Sequence, residues 1–332
     1  METLYNTRMP AAPLPTVRVA HSILHAADLA ALCTQVYGLD QALTARLISH
    51  GQNDWYALQA GAGRWALRVL KTGSRSSEQL SAELAWQRAL AASCNVIRPC
   101  AARDGQQIAC VNAPEGMRWL CLYEWLDGAT LGPGLDVTDA QEAGRQLAQL
   151  HGHPAQLPPD SRRHDLRDKL ARTAPALDAA TMTGASQKLV AAARIRVVPW
   201  LTACDTLPQG SLHGDLHFGN LRRGTDGRLW ILDFDDCGLG ALVVDLTAFS
   251  WRTSCESLPA EINEAFLRGY QSVRPLSKPE TDALPALRVA RALYLAGVYA
   301  RDRDFLGQVP GFDRPWEHYL DLVRDALDQL KS

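Results

Sequence analysis

The chain has 332 residues, of which 47% are hydrophobic, and a formal net charge of −2. That is enough apolar material for one large domain or two lobes, and it excludes a chain disordered throughout. The balanced charge gives no electrostatic basis for binding nucleic acid, and no apolar run approaches the roughly 20 residues of a membrane helix.

Eight scattered cysteines form no Cys-x-x-Cys pair. They read as thiols of a reducing, cytoplasmic setting and not as disulfides or zinc ligands. Met1-Glu2-Thr3 is not followed by a basic and then an apolar region, so no signal peptide is expected. Residues 1–20 carry no period and read as a loose arm. His21 to Tyr37 reads as a helix, on the apolar spacing of Ile23, Ala27, Leu29, Leu32 and Val36.

Three strands follow: Ala45–Ile48, Trp55–Leu58 and Trp65–Leu70. Ser49 to Asp54 between the first two is a turn cluster, and backbone amides in such a turn can cradle phosphate. Asn53 is the candidate side chain there. Arg68 sits mid-strand between Leu67 and Val69, and a charge in that position calls for a partner. Ser76 or Ser77 caps the next helix, in which Leu80, Glu83, Leu84 and Gln87 share one face. Glu83 on that apolar face is the natural partner. Lys71 is the rival cation, although three positions on it points to the other face of the sheet.

Leu120 to Leu126 is a strand running into Asp127-Gly128, and the glycine- and proline-containing stretch to Gly134 ends a first unit. Thr138 and Gln141 have capping-box spacing. The helix behind them carries Ala140, Ala143, Leu147 and Leu150 to His151, whose histidine reads as structural. Some sixty residues with helical runs precede Leu212. Beyond Ser257 come three helices, about Pro259–Gln271, Pro279–Asp302 (interrupted by Pro285) and Pro315–Lys331. Arg288, Arg291, Arg301 and Arg303 read as a solvated helix face.

The chemistry concentrates in His213-Gly214-Asp215 with Asn220 five residues after the Asp, and in Asp233-Phe234-Asp235-Asp236. Asp226-Gly227 lies midway and favours a two-residue type I′ turn. That register places Asn220 opposite Asp233, roughly 4.5–5.5 Å apart. An amide and a carboxylate converging there suit Mg²⁺, which takes few protein ligands and leaves positions for phosphate oxygens. Asp235 is a candidate for a second metal or the acceptor. With Asp236 it makes an acidic mouth suited to a cationic acceptor.

His-Gly-Asp-x-x-x-x-Asn followed by Asp-Phe-Asp resembles the aminoglycoside phosphotransferase and choline-kinase superfamily, whose fold is protein-kinase-like. The resemblance implies an α+β, two-lobed chain. Residues 1–126 would form a small antiparallel-sheet lobe with one key helix, and residues 127–332 a mainly helical lobe. It implies that Asp215 accepts or orients the proton of the attacking hydroxyl, and that Asn220 and Asp233 hold Mg²⁺. Arg68 takes the place of the phosphate-binding lysine and Glu83 that of its partner. Backbone groups of about Glu124 to Leu126 would meet the adenine of ATP. Asp245 would receive backbone N–H groups from the catalytic loop.

The sixty-residue insertion resembles the small-molecule branch. The expected function is ATP-dependent phosphoryl transfer to a hydroxyl of an amino alcohol, an aminosugar antibiotic or an amino-acid-type acceptor, with no obligatory protein partner. The alternatives are a Ser/Thr protein kinase of the bacterial stress-response type, favoured by an open acceptor cleft, and a non-catalytic nucleotide-binding module.

Overall fold

The computed structural model describes residues 18–39, 42–306 and 314–331. Five antiparallel strands, β1 (Thr44–His50), β2 (Asn53–Ala60), β3 (Gly63–Leu70), β4 (Ala109–Ala113) and β5 (Gly116–Glu124), form a sheet of order β1-β2-β3-β5-β4. Because successive side chains in a strand alternate faces, β3 is divided cleanly. Leu67 and Val69 pack under α1 (Ala26–Tyr37), with Leu29, Cys33 and Tyr56. Ala66 and Leu70 pack under α2 (Ser77–Leu90), with Leu80 and Leu84. Arg68 therefore faces α2, while Lys71 lies beyond the strand end.

Several predicted boundaries shift for local reasons. The first helix begins only at Ala26, because His21 and Ser22 are held by side chains of the sheet. The turn predicted over Ser49–Asp54 shrinks to Gly51-Gln52, since His50 pairs with Asp54 in the ladder. Ser76 caps α2 and its box closes with Gln79. The third helix, α3 (Val137–His151), is capped two residues earlier than predicted, by Asp136. Its carboxylate accepts the Asp139 N–H at 2.8 Å, and Asp139 returns the bond at 3.3 Å.

The second lobe is helical. It contains α4 (Leu166–Ala179), α5 (Gly184–Ala203), α6 (Leu242–Cys255), α7 (Ala260–Gln271), α8 (Lys278–Leu306) and α9 (Trp316–Lys331). Pro285 lies inside α8 without ending it. One core joins α3, α6, α7, α8 and α9 through Leu147, Phe249, Phe266, Leu287, Leu293 and Val323. Phe249 and Phe266 stack at 4.1 Å. Two small sheets edge this core, β6 (Gly128–Thr130) with β8 (Leu221–Gly224) and β9 (Leu229–Ile231), and β7 (Gln209–Leu212) with β10 (Gly238–Ala241). The side chain of Arg303 lies outside the described residues. Among the described residues no helix is long and apolar enough to cross a membrane.

Candidate active site

Strand β7 delivers His213, Gly214 and Asp215 to the cleft side of the second lobe. Their backbone is fixed by Asp245, buried in the first turn of α6. Its two oxygens accept the N–H groups of His213 and Gly214, each at 2.7 Å. Burial opposes a charge on Asp245, but the His151 imidazole bonded to it at 3.1 Å, with His213 and His164, lowers its pKa. His151 in turn meets the Tyr270 hydroxyl at 2.7 Å. The buried His213 ring donates from Nε2 to the Leu232 carbonyl at 2.9 Å and accepts the Asp215 N–H at Nδ1, 3.3 Å. These two partners fix a neutral tautomer, and burial lowers its pKa further. Gly214 has φ +89°, and a Cβ there would lie 2.0 Å from the Asp236 carbonyl. Only glycine lets the two functional loops meet this closely.

The hairpin between Asn220 and Asp233 differs from its expected register. Pairs run Leu221–Ile231, Arg222–Trp230 and Arg223–Leu229. Gly224 N–H reaches the Arg228 carbonyl across three loop residues, the last of them Gly227 at φ +75°. One more residue in the loop gives a turn of the G1-bulge kind and not a two-residue type I′ turn. Asn220 is consequently opposite Leu232, bonded at 2.9 Å. A one-residue slip in a regular strand would send Asp233 to the wrong face. Instead Asp233 adopts φ +60°, rare for a residue with a side chain. Asn220 and Asp233 both line the cleft as a result.

Asn220 donates from Nδ2 to the Asp215 carbonyl at 3.0 Å, which leaves its Oδ1 as the amide atom able to bind a cation. Asp233 is pushed up to about 7, first by burial and then by the charges of Asp235 and Asp215. Crowded carboxylates of this kind fit a divalent cation. A carboxyl whose pKa rises from 3.8 to about 7 on folding binds a proton in the folded chain between those values. Stability therefore falls as pH climbs through that window, and a cation offsets the loss. The gain in Tm from added Mg²⁺ should grow as the pH is raised from about 6 to about 8. A scanning-calorimetry series checks it.

Asp215 is gripped by Arg291, which is not on a solvated helix face as its sequence context suggests. Arg291 of α8 is buried. Its Nη2 bonds Asp215 Oδ1, and its Nη1 donates to the Gly214 carbonyl at 3.1 Å. Burial alone would raise the Asp215 pKa. Arg291 reverses that, with help from His217 and Lys169, and holds the carboxyl well below its usual range. His217 accepts the Gly219 N–H at Nδ1, so its proton sits on Nε2, 3.6 Å from Asp215 Oδ2. Arg291→Leu should raise the Asp215 pKa and move the acid limb of kcat/KM upward into measurable range. A pH–rate profile reads this directly.

Arg68 donates from Nη2 to Glu83 Oε1 at 2.7 Å, with both side chains fully buried. Burial works against the Arg68 charge, but Glu83, together with Tyr123, Cys121 and Asp235, offsets it and raises the pKa well above the usual value. Arg75, from a turn that offered no period to read, shares the site. It lies 3.4 Å from Glu83 Oε2 and 3.4 Å from Asp235 Oδ1, while Arg68 Nη1 lies 3.9 Å from Asp235. Asp236 faces Arg162 at 3.2 Å and Lys169 at 3.5 Å. Burial pulls Lys169 down to about 8, and His164 beside it down to about 3. The mouth is therefore charge-balanced and not acidic, contrary to expectation.

The cleft holds about 310 Å³. Ile48, Ser49, Trp55 and Ala66 of the first lobe face Gly219, Arg222 and Leu232 of the second. Trp125 and Leu126 connect the two sides. Asn53, expected in the phosphate turn, lies inside β2 opposite Leu70 and is buried; Ser49 stands at the cleft in its place. The Glu124 side chain is exposed near Arg98, and its N–H is committed to the Arg98 carbonyl at 3.0 Å. Arg222 donates from Nη1 to the Leu126 carbonyl at 2.9 Å, a contact no sequence pattern signals.

A sheet-bearing first lobe, a helical second lobe and a cleft between them lined by Asn220 and Asp233 define a protein-kinase-like architecture. The model of the phosphotransferase enzyme family matches residues 44–289, and the chain belongs to that family. It is a phosphotransferase acting on hydroxyl acceptors. An uncharacterized protein of Deinococcus radiodurans is 34% identical over 293 residues, covering 84% of this chain and 83% of its own. Among solved structures, a microcompartment-associated aminopropanol kinase superposes with a TM-score of 0.77 at 23% identity, covering 92% of this chain and 98% of that one. An amicoumacin kinase in complex with AMP-PNP and Ca²⁺ gives 0.72 at 18% identity, covering 90% and 93%.

Proposed function

We propose that this protein transfers the γ-phosphoryl group of Mg²⁺-bound ATP to a hydroxyl of a small metabolite or antibiotic. The observation that carries the reading is the convergence of Asp215, Asn220 and Asp233 where the two lobes meet, with Arg68 anchored by Glu83 across the cleft. The base would enter the slot lined by Ala66, Ile97 and Leu232. The Glu124 carbonyl and the Leu126 N–H would be its backbone partners, since the other two peptide groups there are engaged. On this reading the lobe boundary would fall between residues 126 and 127.

Asn220 and Asp233 would hold Mg²⁺, which neutralises phosphate charge during transfer. Asp215 orients the acceptor hydroxyl and takes its proton. The acceptor oxygen forms a bond to the γ-phosphorus, and the bond to the β–γ bridging oxygen breaks with its electron pair leaving on ADP. A carboxylate held as acidic as Asp215 is a weak base. It suffices because the loose transition state leaves the hydroxyl proton in place until late. Arg291 keeps Asp215 ionised and aimed.

Two of the superposed structures are an aminopropanol kinase and an amicoumacin kinase, which supports a small hydroxyl compound as acceptor. The paired mouth favours the amino-acid type over a purely cationic amine, because Arg162 and Lys169 already compensate Asp236. Eight free thiols support a reducing, cytoplasmic setting. The test is calorimetric titration with AMP-PNP in the presence and absence of Mg²⁺, followed by competition kinetics comparing hydroxy amino acids with amino alcohols. Mg²⁺-dependent binding and a preference for the former are expected. Binding without Mg²⁺ dependence, or selective use of amines, would contradict the respective part.

A further inference from the structure

Behind the cleft, on the α1 face of the sheet, His21, His50 and Asp54 come together. Asp54 is fully buried, and its Oδ1 lies 2.6 Å from His50 Nδ1 and 3.1 Å from His21 Nε2. The two rings are 4.8 Å apart, and the three ligand atoms lie within 4.8 Å of one another. Each arrives on a different segment: the stretch before α1, the end of β1 and the start of β2. Asp54 and the segment carrying His21 are also held from outside. Arg118 bonds Asp54 Oδ2 at 2.7 Å and the Ser22 carbonyl at 2.7 Å, while Glu115 accepts from the Ser22 N–H and hydroxyl at 3.1 and 2.8 Å. His21 is thereby fixed through its neighbour, and its Nε2 lies 3.1 Å from both Asp54 oxygens, while His50 meets Oδ1 alone.

We infer that His21, His50 and Asp54 form a binding site for a divalent transition metal of the Zn²⁺ type, separate from the catalytic cation. Two imidazoles and one carboxylate are a donor set that holds zinc with one position left for water. Tetrahedral coordination at zinc distances needs donors roughly 3.3 Å apart, so the 3.1 Å His21–Asp54 contact would open by roughly 0.2 Å and the 2.6 Å His50–Asp54 contact by roughly 0.7 Å. Arg118 supplies the outer contact that orients the carboxylate ligand. Glu115 lies 3.7 Å from the same guanidinium and shares its charge with Asp54. The half-exposed His50 gives an entry path and a place for the water.

The site would clamp the β1–β2 turn. Ser49 lines the cleft and His50, next in the chain, points the opposite way into the cluster. A metal bound here would thus tie the segment before α1 to the turn expected over the phosphates.

The test is a titration of the full chain, stripped by chelator, with Co²⁺. One equivalent should give the visible absorption of a four-coordinate site and be displaced by one equivalent of Zn²⁺. His50→Asn, at a half-exposed position, should fold normally by circular dichroism and bind at least about 100-fold more weakly. His21→Ala should do the same. Asp233→Asn, which alters the cleft and not this cluster, should keep the signal, so the outcome stands apart from that of the phosphotransfer reading. Absence of saturable one-to-one binding in the unaltered chain, or binding that survives both histidine changes, would overturn the inference and leave a hydrogen-bonded clasp.

Discussion

Asp215→Asn is expected to lower turnover by about 10²–10⁴-fold while leaving nucleotide affinity nearly unchanged. The amide keeps the size of the side chain, and the backbone is positioned independently by Asp245 and His213. What is lost is the acceptor for the hydroxyl proton and the charge that pairs with Arg291. Steady-state kinetics over a range of Mg·ATP concentrations separate the two: kcat falls and the nucleotide KM stays nearly constant. Turnover equal to that of the unaltered chain would remove Asp215 from the reaction.

Glu83→Ala should cost about 3–5 kcal/mol of stability, because it leaves buried guanidinium groups facing one another without a carboxylate. Arg68 and Glu83 are 1% and 0% exposed, and Arg75 shares the same carboxylate, so solvent cannot replace it. Urea denaturation monitored by tryptophan fluorescence gives the number. Replacing both members of the pair, Arg68→Met with Glu83→Leu, should regain most of that stability, since an apolar pair of similar size removes the desolvation cost. It should not regain phosphoryl transfer, because the cation facing the cleft is gone. Recovery of activity in the double variant would make Arg68 purely structural.

The parts of this site that a sequence reveals are those set by local period. Arg68 and Glu83 each stand on an apolar face of one element, and each therefore asks for a buried partner. Asp215, Asn220 and Asp233 are legible because their spacing spans a single hairpin. The same hairpin shows where such reading ends. A loop longer by one residue shifts the register, and only the left-handed backbone of Asp233 restores convergence. No propensity rule foretells a carboxylate at φ +60°.

Arg291 was within reach: a charge inside Leu287 to Leu293 deserved the argument that found Glu83. Its partner, however, lies 76 residues away and nothing local points to it. Arg75, Arg162 and Lys169 come from turns and an inserted helix whose positions are set only by the folded chain. Without them Asp235 and Asp236 look like an acidic mouth, and with them the mouth is neutral. Asn53 was misplaced because a six-residue cluster of turn formers closed over two.

The most direct test of the central claim is phosphoryl transfer itself. The chain is incubated with Mg·ATP and a panel of hydroxyl-bearing amino acids, amino alcohols, aminosugars and a generic protein, and products are read by mass spectrometry beside the Asp215→Asn variant. The expected result is a single class of small molecule gaining one phosphoryl group, with Mg²⁺ and the intact Asp both required. Phosphorylation of the protein alone, or a product formed equally by Asp215→Asn, would contradict it.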